Sequence, residues 1–146
     1  MSKSKTVLVS ACLLGLKTRY DGNDALNAEA LKELKGAIPI PVCPEVLGGL
    51  PTPRPRAGIG SGDGTDVLEG RAIVSDENGA DRTAEFLRGA LAVLEIARLT
   101  DARVAFLKEK SPSCGVALIS KNGGQETGMG VTTALLQKEG LETKGF

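Results

Sequence analysis

Three short apolar runs set the terms for what this chain can fold into: TVLVS at Thr6–Ser10, IPIPV at Ile38–Val42 and VAFL at Val104–Leu107. Each has strand length, and consecutive apolar positions bury both faces of a strand, which requires helices on both sides of a sheet. Between the runs lie segments of helical period. Ala25–Lys35 sets Leu26, Ala30, Leu31 and Leu34 on one face and stops at Gly36. Asp81 or Thr83 can cap a long helix through Leu99, where Phe86, Leu87, Ala90, Leu91, Val93, Leu94 and Ala97 form a broad stripe suited to packing on a sheet. Val131–Glu139 makes a last helix closed by Gly140. Strands alternating with helices imply parallel βα units. The expected fold is therefore α/β: a single-domain, Rossmann-like, doubly wound and mainly parallel sheet with flanking helices, spanning residues 1–146 without repeat or linker. The two prolines of IPIPV sit awkwardly in a buried strand. Residues 43–70, dense in Pro and Gly, are expected to be mostly loop with one short strand, and Ala72–Val74 is a further short strand ending at the turn Asp76–Gly79.

Composition excludes several function classes. Eighteen basic residues balance eighteen acidic ones, so the excess positive charge that drives non-specific nucleic-acid binding is missing. The chain has no histidine and no tryptophan. Acid–base work then falls to Asp, Glu, Lys, Tyr or Cys, and soft-metal binding falls to cysteine. Met1–Lys5 is short and polar and leads straight into the first apolar run, without the apolar region of a signal peptide, and no stretch is long enough to cross a bilayer. With three cysteines, an odd number, the expectation is a cytoplasmic protein with free thiols.

Each cysteine follows an apolar run: TVLVSAC, IPIPVC and VAFLKEKSPSC. In a parallel sheet these strand ends share one edge, where open α/β folds place their ligands, so Cys12, Cys43 and Cys114 can meet in space. Three thiolates without a histidine cannot complete a four-ligand zinc site of cysteines and histidines. They can hold three irons of a [4Fe–4S] cube and leave the fourth open. Ordinary buried thiols are the competing reading, since free cysteine is among the most buried residue types. Glu45, two residues after Cys43, is either a solvated loop carboxylate or the proton acceptor that a histidine-free enzyme needs. Ser111 and Ser113 flank Pro112, and a serine before proline is often only a turn former.

The segments VSACLLG, RYDG, PVCPEVLGGLPTPRP, KEKSPSCG and GMGVTTALL, in this order over nearly the whole chain, resemble the thiouracil desulfidase family, formerly a domain of unknown function. The resemblance implies an α/β fold, a [4Fe–4S] cluster on Cys12, Cys43 and Cys114 with one iron not bound by protein, and removal of sulfur from small thiolated pyrimidines without net redox change. It also implies a catalytic glutamate at Glu45 and favours Ser111 over Ser113 as a catalytic hydrogen-bonding group. The expected chemistry is hydrolytic: an open iron polarises a thiocarbonyl, Glu45 activates water and Ser111 orients the heterocycle or steadies developing charge. Alternatives are a thiolated nucleoside or tRNA as substrate, a non-catalytic electron-transfer or sensor protein, and a zinc or apo thiol protein. Arg54 and Arg56 could anchor substrate, with an exposed salt-bridged loop as the default. Relatives often carry a glutamate a few residues after the arginine, where this chain has Gly58, so that loop is not counted as catalytic. Tyr20 and Asp21 line the pocket or merely shape the loop after Cys12. Gly128, Gly130 and Thr132 precede a helix whose amides could receive an anion, or the glycines serve plain steric needs.

Overall fold

A computed structural model describes residues 5–121 and 123–146. The polar Met1–Ser4 stretch lies outside the described residues.

A parallel four-stranded sheet forms the frame. Its strands are β1 (Lys5–Ser10), β2 (Ala37–Val42), β5 (Val104–Leu107) and β8 (Glu142–Gly145), in the order β2-β1-β5-β8. The pleat divides their side chains as a period of two demands. Val7, Val9, Val104 and Phe106 point to one face, where they pack with Ala30 of helix α1 (Ala28–Glu33) and with Leu34, the residue that caps its end. Leu8, Ala105 and Leu107 point to the other, against Val93, Leu94 and Ala97 of α4 (Thr83–Thr100) and Leu136 of α5 (Val131–Lys138). Helices thus cover both faces, and the α/β expectation holds.

Several expectations are corrected. IPIPV pairs with β1, but as an edge strand: Ile38 is 48% exposed, and prolines at alternate positions fit an edge because one side of the strand has no partner for its N–H groups. The first helix starts at Ala28 rather than Ala25. Asn27 takes the cap position and its side chain accepts the Ala30 amide at 3.0 Å, so Leu26 stays outside the helix and Leu31 is exposed. Residues 43–70 hold one short strand as expected, β3 (Ala57–Ile59), but also two short helices, α2 (Pro44–Leu47) and α3 (Gly64–Leu68). The strand expected at Ala72–Val74 is shifted to β4 (Val74–Asp76). The glycine-rich stretch after Cys114 contains an unforeseen hairpin, β6 (Leu118–Lys121) and β7 (Gly124–Thr127). Together β4-β3-β6-β7 make a second, mixed sheet. It has its own core, in which Ile59, Val74 and Ile119 meet Phe86 and Ala90 of α4. The first half of α4 therefore serves the mixed sheet and the second half the parallel one.

Glycines set the spacing between α2 and α4. A Cβ on Gly89 would overlap the Pro44 carbonyl, and one on Gly48 would overlap the Glu85 carbonyl. Backbone thus touches backbone at both ends of α2. Gly89→Ala gains helix propensity but must push α2 away, and is expected to destabilise the protein by about 1–3 kcal/mol. Thermal unfolding checks this: a fall in Tm of about 2–4 °C per kcal/mol is expected for a chain of this size, whereas an unchanged Tm would show that the contact relaxes.

Candidate active site

The three cysteines lie beyond the carboxyl ends of β2, β1 and β5, which are neighbours in the parallel sheet. Cys12 sits on a single 3-10 turn, Ala11–Leu14, that follows β1 directly. Cys43 is the residue that opens α2, with Pro44 at the first helical position, where its missing N–H costs nothing. Cys114 ends a tight turn after β5, closed by the Gly115 amide on the Ser111 carbonyl at 2.9 Å. All three line one cavity of about 320 Å³, together with Glu45, Ser111 and Ser113. The site residues named from sequence are thus brought together.

The turn carrying Cys114 is fastened from two sides. The Glu109 carboxylate accepts the successive amides of Val116, Ala117 and Leu118 at 2.8–3.2 Å. From the other side, the first amides of α5 bond to the turn: Val131 donates to the Pro112 carbonyl, and Thr132 and Thr133 donate to that of Ser113. The Thr133 hydroxyl donates to the Cys114 carbonyl. A Cβ on Gly130 would overlap Ser113 and the Cys114 amide. The steric reading of this glycine holds, and the helix amides hold a protein loop rather than an anion.

The thiols are held in their neutral form. Burial pushes Cys114 up to about 12 in spite of hydrogen bonds from Ser10 and Ser113. Burial also raises Cys12 and Cys43. The Cys43 charge adds to the effect on Cys12, and the Glu45 charge adds to the effect on Cys43. Three such thiols become thiolates only with a strongly bound cation, which displaces their protons. Among the described residues, no three Cys, Asp or Glu side chains converge on a single ion. Three thiolates around one cavity are the donor set that a [4Fe–4S] cluster takes, one thiolate to each of three irons. Thr18 also lines the cavity, and its carbonyl accepts from Arg54 at 2.9 Å.

Beside the thiols, Glu45 is gripped at both oxygens. Arg54 Nε donates to Oε1 at 2.9 Å, and Ser113 Oγ donates to Oε2 at 2.9 Å. Arg54 also donates to the carbonyls of Thr18 and Pro51 and to Thr52 Oγ1, and its Nη2 lies 3.9 Å from Cys43 Sγ. The exposed salt-bridged loop expected here is overturned: the Arg54 side chain is 3% exposed and that of Glu45 13%. Arg56 stacks over Tyr20 at 5.6 Å, and both line the cavity. Asp21 shapes the loop, pairing with Arg19 at 3.1 Å and accepting the Asn23 amide. Gly58 lies in β3 against the Ser120 backbone. Lys108, half-buried in the cavity wall and lowered in pKa by burial, was not foreseen, nor was Glu109. Both are single charged residues in a loop, and no spacing sets them apart from solvated ones.

A thiol-lined cavity with an oriented carboxylate, set at the carboxyl ends of parallel strands, is the layout of a ligand-binding α/β enzyme. The chain belongs to the 2-thiouracil desulfurase family, whose model matches residues 7–144. The structure of a [4Fe-4S]-dependent thiouracil desulfidase, TudS (DUF523Vcz), is similar with a TM-score of 0.81 and 42% identity, covering 98% of this chain and 91% of that one. The uncharacterized protein YbbK of Bacillus subtilis (strain 168) is 41% identical over 137 residues, covering 92% of this chain and 91% of its own length. Among the described residues, no helix is long and apolar enough to cross a membrane.

The Arg54–Glu45 pair yields a direct test. Arg54→Met leaves a buried carboxylate without its cation and is expected to cost about 3–5 kcal/mol of stability. Arg54→Lys restores charge but not the fork of donors, so it should recover only part. Urea unfolding midpoints measure both, and full recovery by Lys would show that charge alone matters.

Proposed function

We propose that this chain is a [4Fe–4S]-dependent desulfidase that converts thiolated pyrimidines such as 2-thiouracil to the oxygen-containing base and hydrosulfide, as one domain acting in the cytoplasm. The observation that carries this reading is the meeting of Cys12, Cys43 and Cys114 with the doubly held Glu45 around one cavity. Family membership and the likeness to a [4Fe-4S]-dependent thiouracil desulfidase support the cofactor and the substrate class. Bound through Cys12, Cys43 and Cys114, the cluster would supply an iron without a protein ligand, a Lewis acid suited to soft thiocarbonyl sulfur.

The rest of the chemistry belongs to side chains. Glu45 removes a proton from water as the oxygen attacks the thiocarbonyl carbon. Arg54 keeps that carboxylate fixed at the cavity wall. Ser111 hydrogen-bonds the heterocycle or the charge that develops on it. Arg56 and Tyr20 line the same cavity. Replacing C=S by C=O with water leaves the oxidation level of carbon unchanged, so no electron donor is consumed.

Cys12→Ser, Cys43→Ser and Cys114→Ser are each expected to prevent stable cluster assembly, read as iron and sulfide content after anaerobic reconstitution. A variant that retains the wild-type content would remove that cysteine from the ligand set. In the decisive assay, reconstituted and reductant-free protein receives 2-thiouracil without oxygen, and uracil and hydrosulfide are followed together. Equal amounts over many turnovers are expected. Glu45→Gln should keep the iron and lose ~10²–10⁴-fold in rate, and Ser111→Ala should lose about 10²-fold. Product that forms only as an electron donor is consumed would replace hydrolysis by a redox role.

A further inference from the structure

Glu109 lines the cavity but takes no part in the proposed chemistry. Its carboxylate is engaged by backbone. Oε1 accepts the successive amides of Val116, Ala117 and Leu118 at 2.8, 3.0 and 3.2 Å, and Oε2 accepts that of Ala117 at 3.2 Å. Consecutive amides make a seat for an anion, and here the anion is a side chain of the same loop. The Lys110 amide donates to the Leu118 carbonyl at 2.9 Å, and Ser120 Oγ donates to the Lys110 carbonyl at 2.7 Å. Residues 109–118 are thereby closed at the neck into one ring, and Ser111, Ser113 and Cys114 all ride on it.

From outside the ring, β8 sets the room that the carboxylate has. Gly145 stands opposite Leu107, the last residue of β5, and the Glu109 amide donates to the Phe146 carbonyl at 3.0 Å. A Cβ on Gly145 would lie 2.1 Å from Glu109 Oε2, 2.5 Å from its Cδ and 2.9 Å from its Cγ. Gly145 has no left-handed φ, so glycine provides space here rather than backbone freedom. A flexible side chain usually swings clear of such an overlap. This one must give up its amides to do so. β8 contributes no residue to the cavity lining, yet it touches the site through this contact.

Among the three cysteines, Cys114 most needs such a fastening. Cys12 sits on the turn that follows β1 directly and Cys43 opens α2, whereas Cys114 lies in a loop seven residues past the end of β5. We infer that Glu109 is a positioning residue for the cluster: its carboxylate, seated against Gly145, holds the 109–118 ring shut and keeps Cys114 where it retains iron. The inference rests on the ligation proposed for Cys114.

For the test, Glu109→Ala, Glu109→Gln, Gly145→Ala and the double variant Glu109→Ala/Gly145→Ala are reconstituted without oxygen. Iron release to a chelator is timed well below the unfolding temperature of each holoprotein, and urea midpoints are taken on the same samples. Glu109→Ala should release iron ~10–100-fold faster than the wild type, the range typical of groups that orient metal ligands. Gly145→Ala should also speed release, but add nothing in the Glu109→Ala background, where its methyl has no carboxylate to displace. Glu109→Gln keeps an oxygen that accepts the three amides and should recover most of the retention. Unchanged release in Glu109→Ala, whatever its urea midpoint, would overturn the inference and leave Glu109 a stabilising contact only. Losses that multiply in the double variant, or release from Glu109→Gln as fast as from Glu109→Ala, would overturn it too. Should Glu109→Ala fail to fold, Gly145→Ala against Glu109→Gln carries the test, and normal release in Gly145→Ala sinks the idea. Failure of the underlying ligation is told apart, because the wild type would then take up no iron or Cys114→Ser would hold it as firmly.

Discussion

The central position of β1, paired in parallel with β2 on one side and β5 on the other, is the constraint from which the site follows. Parallel pairing carries the three strands to the same edge in register, with Val9 opposite both Pro41 and Phe106. The chain leaving each strand there delivers one cysteine. Had either neighbour run antiparallel, its following loop would emerge at the opposite edge and the three thiols could not share a cavity. Crossover segments make the arrangement possible, and packing on both faces of the sheet makes it stable. The thiols are then a by-product of strand direction, and the local turns only aim them.

Around that edge, neutral thiols and charged groups are kept apart by different means. Cys12 and Cys114 are buried and Cys43 is half-buried, and burial raises the pKa of each thiol. Glu45 and Arg54 enter the same wall as a pair whose further donors meet carbonyls, so a buried charge is carried without an unpaired partner. The link of Arg54 to both Glu45 and the neighbourhood of Cys43 joins the two sides. Tight backbone contacts through Gly48, Gly89 and Gly130 leave little room for these elements to shift against each other.

Legibility in the sequence followed how local the determining physics is. Three strands of the parallel sheet, β1, β2 and β5, announced themselves through continuous apolar runs, and α4 through its stripe. The thiol cavity could be foreseen because one cysteine follows each run. The mixed sheet could not, because Ala57–Ile59 and Val74–Asp76 are three residues long and Gly124–Thr127 is wholly exposed, so none shows a hydrophobic period. β8 was missed for the same reason, being polar at an edge. Leu26 and Leu31 misled by matching a helical face that the Asn27 cap cuts short. The burial of Arg54 was invisible because its partners are carbonyls and a carboxylate brought in by the fold. The clamp made by Glu109 is likewise a matter of three amides that no residue type foretells.

The two open edges of the parallel sheet are unequal in what they offer to another chain. The β2 edge carries Pro39 and Pro41, whose missing N–H groups spoil the ladder that a foreign strand would need, and the charged β8 edge, Glu142–Gly145, is only four residues long. Cys43 follows β2 directly. A strand docking along that edge would end beside Val42 and Cys43, which line the thiol cavity. Prolines there disfavour pairing with a foreign strand on the side of the sheet that leads to the cavity.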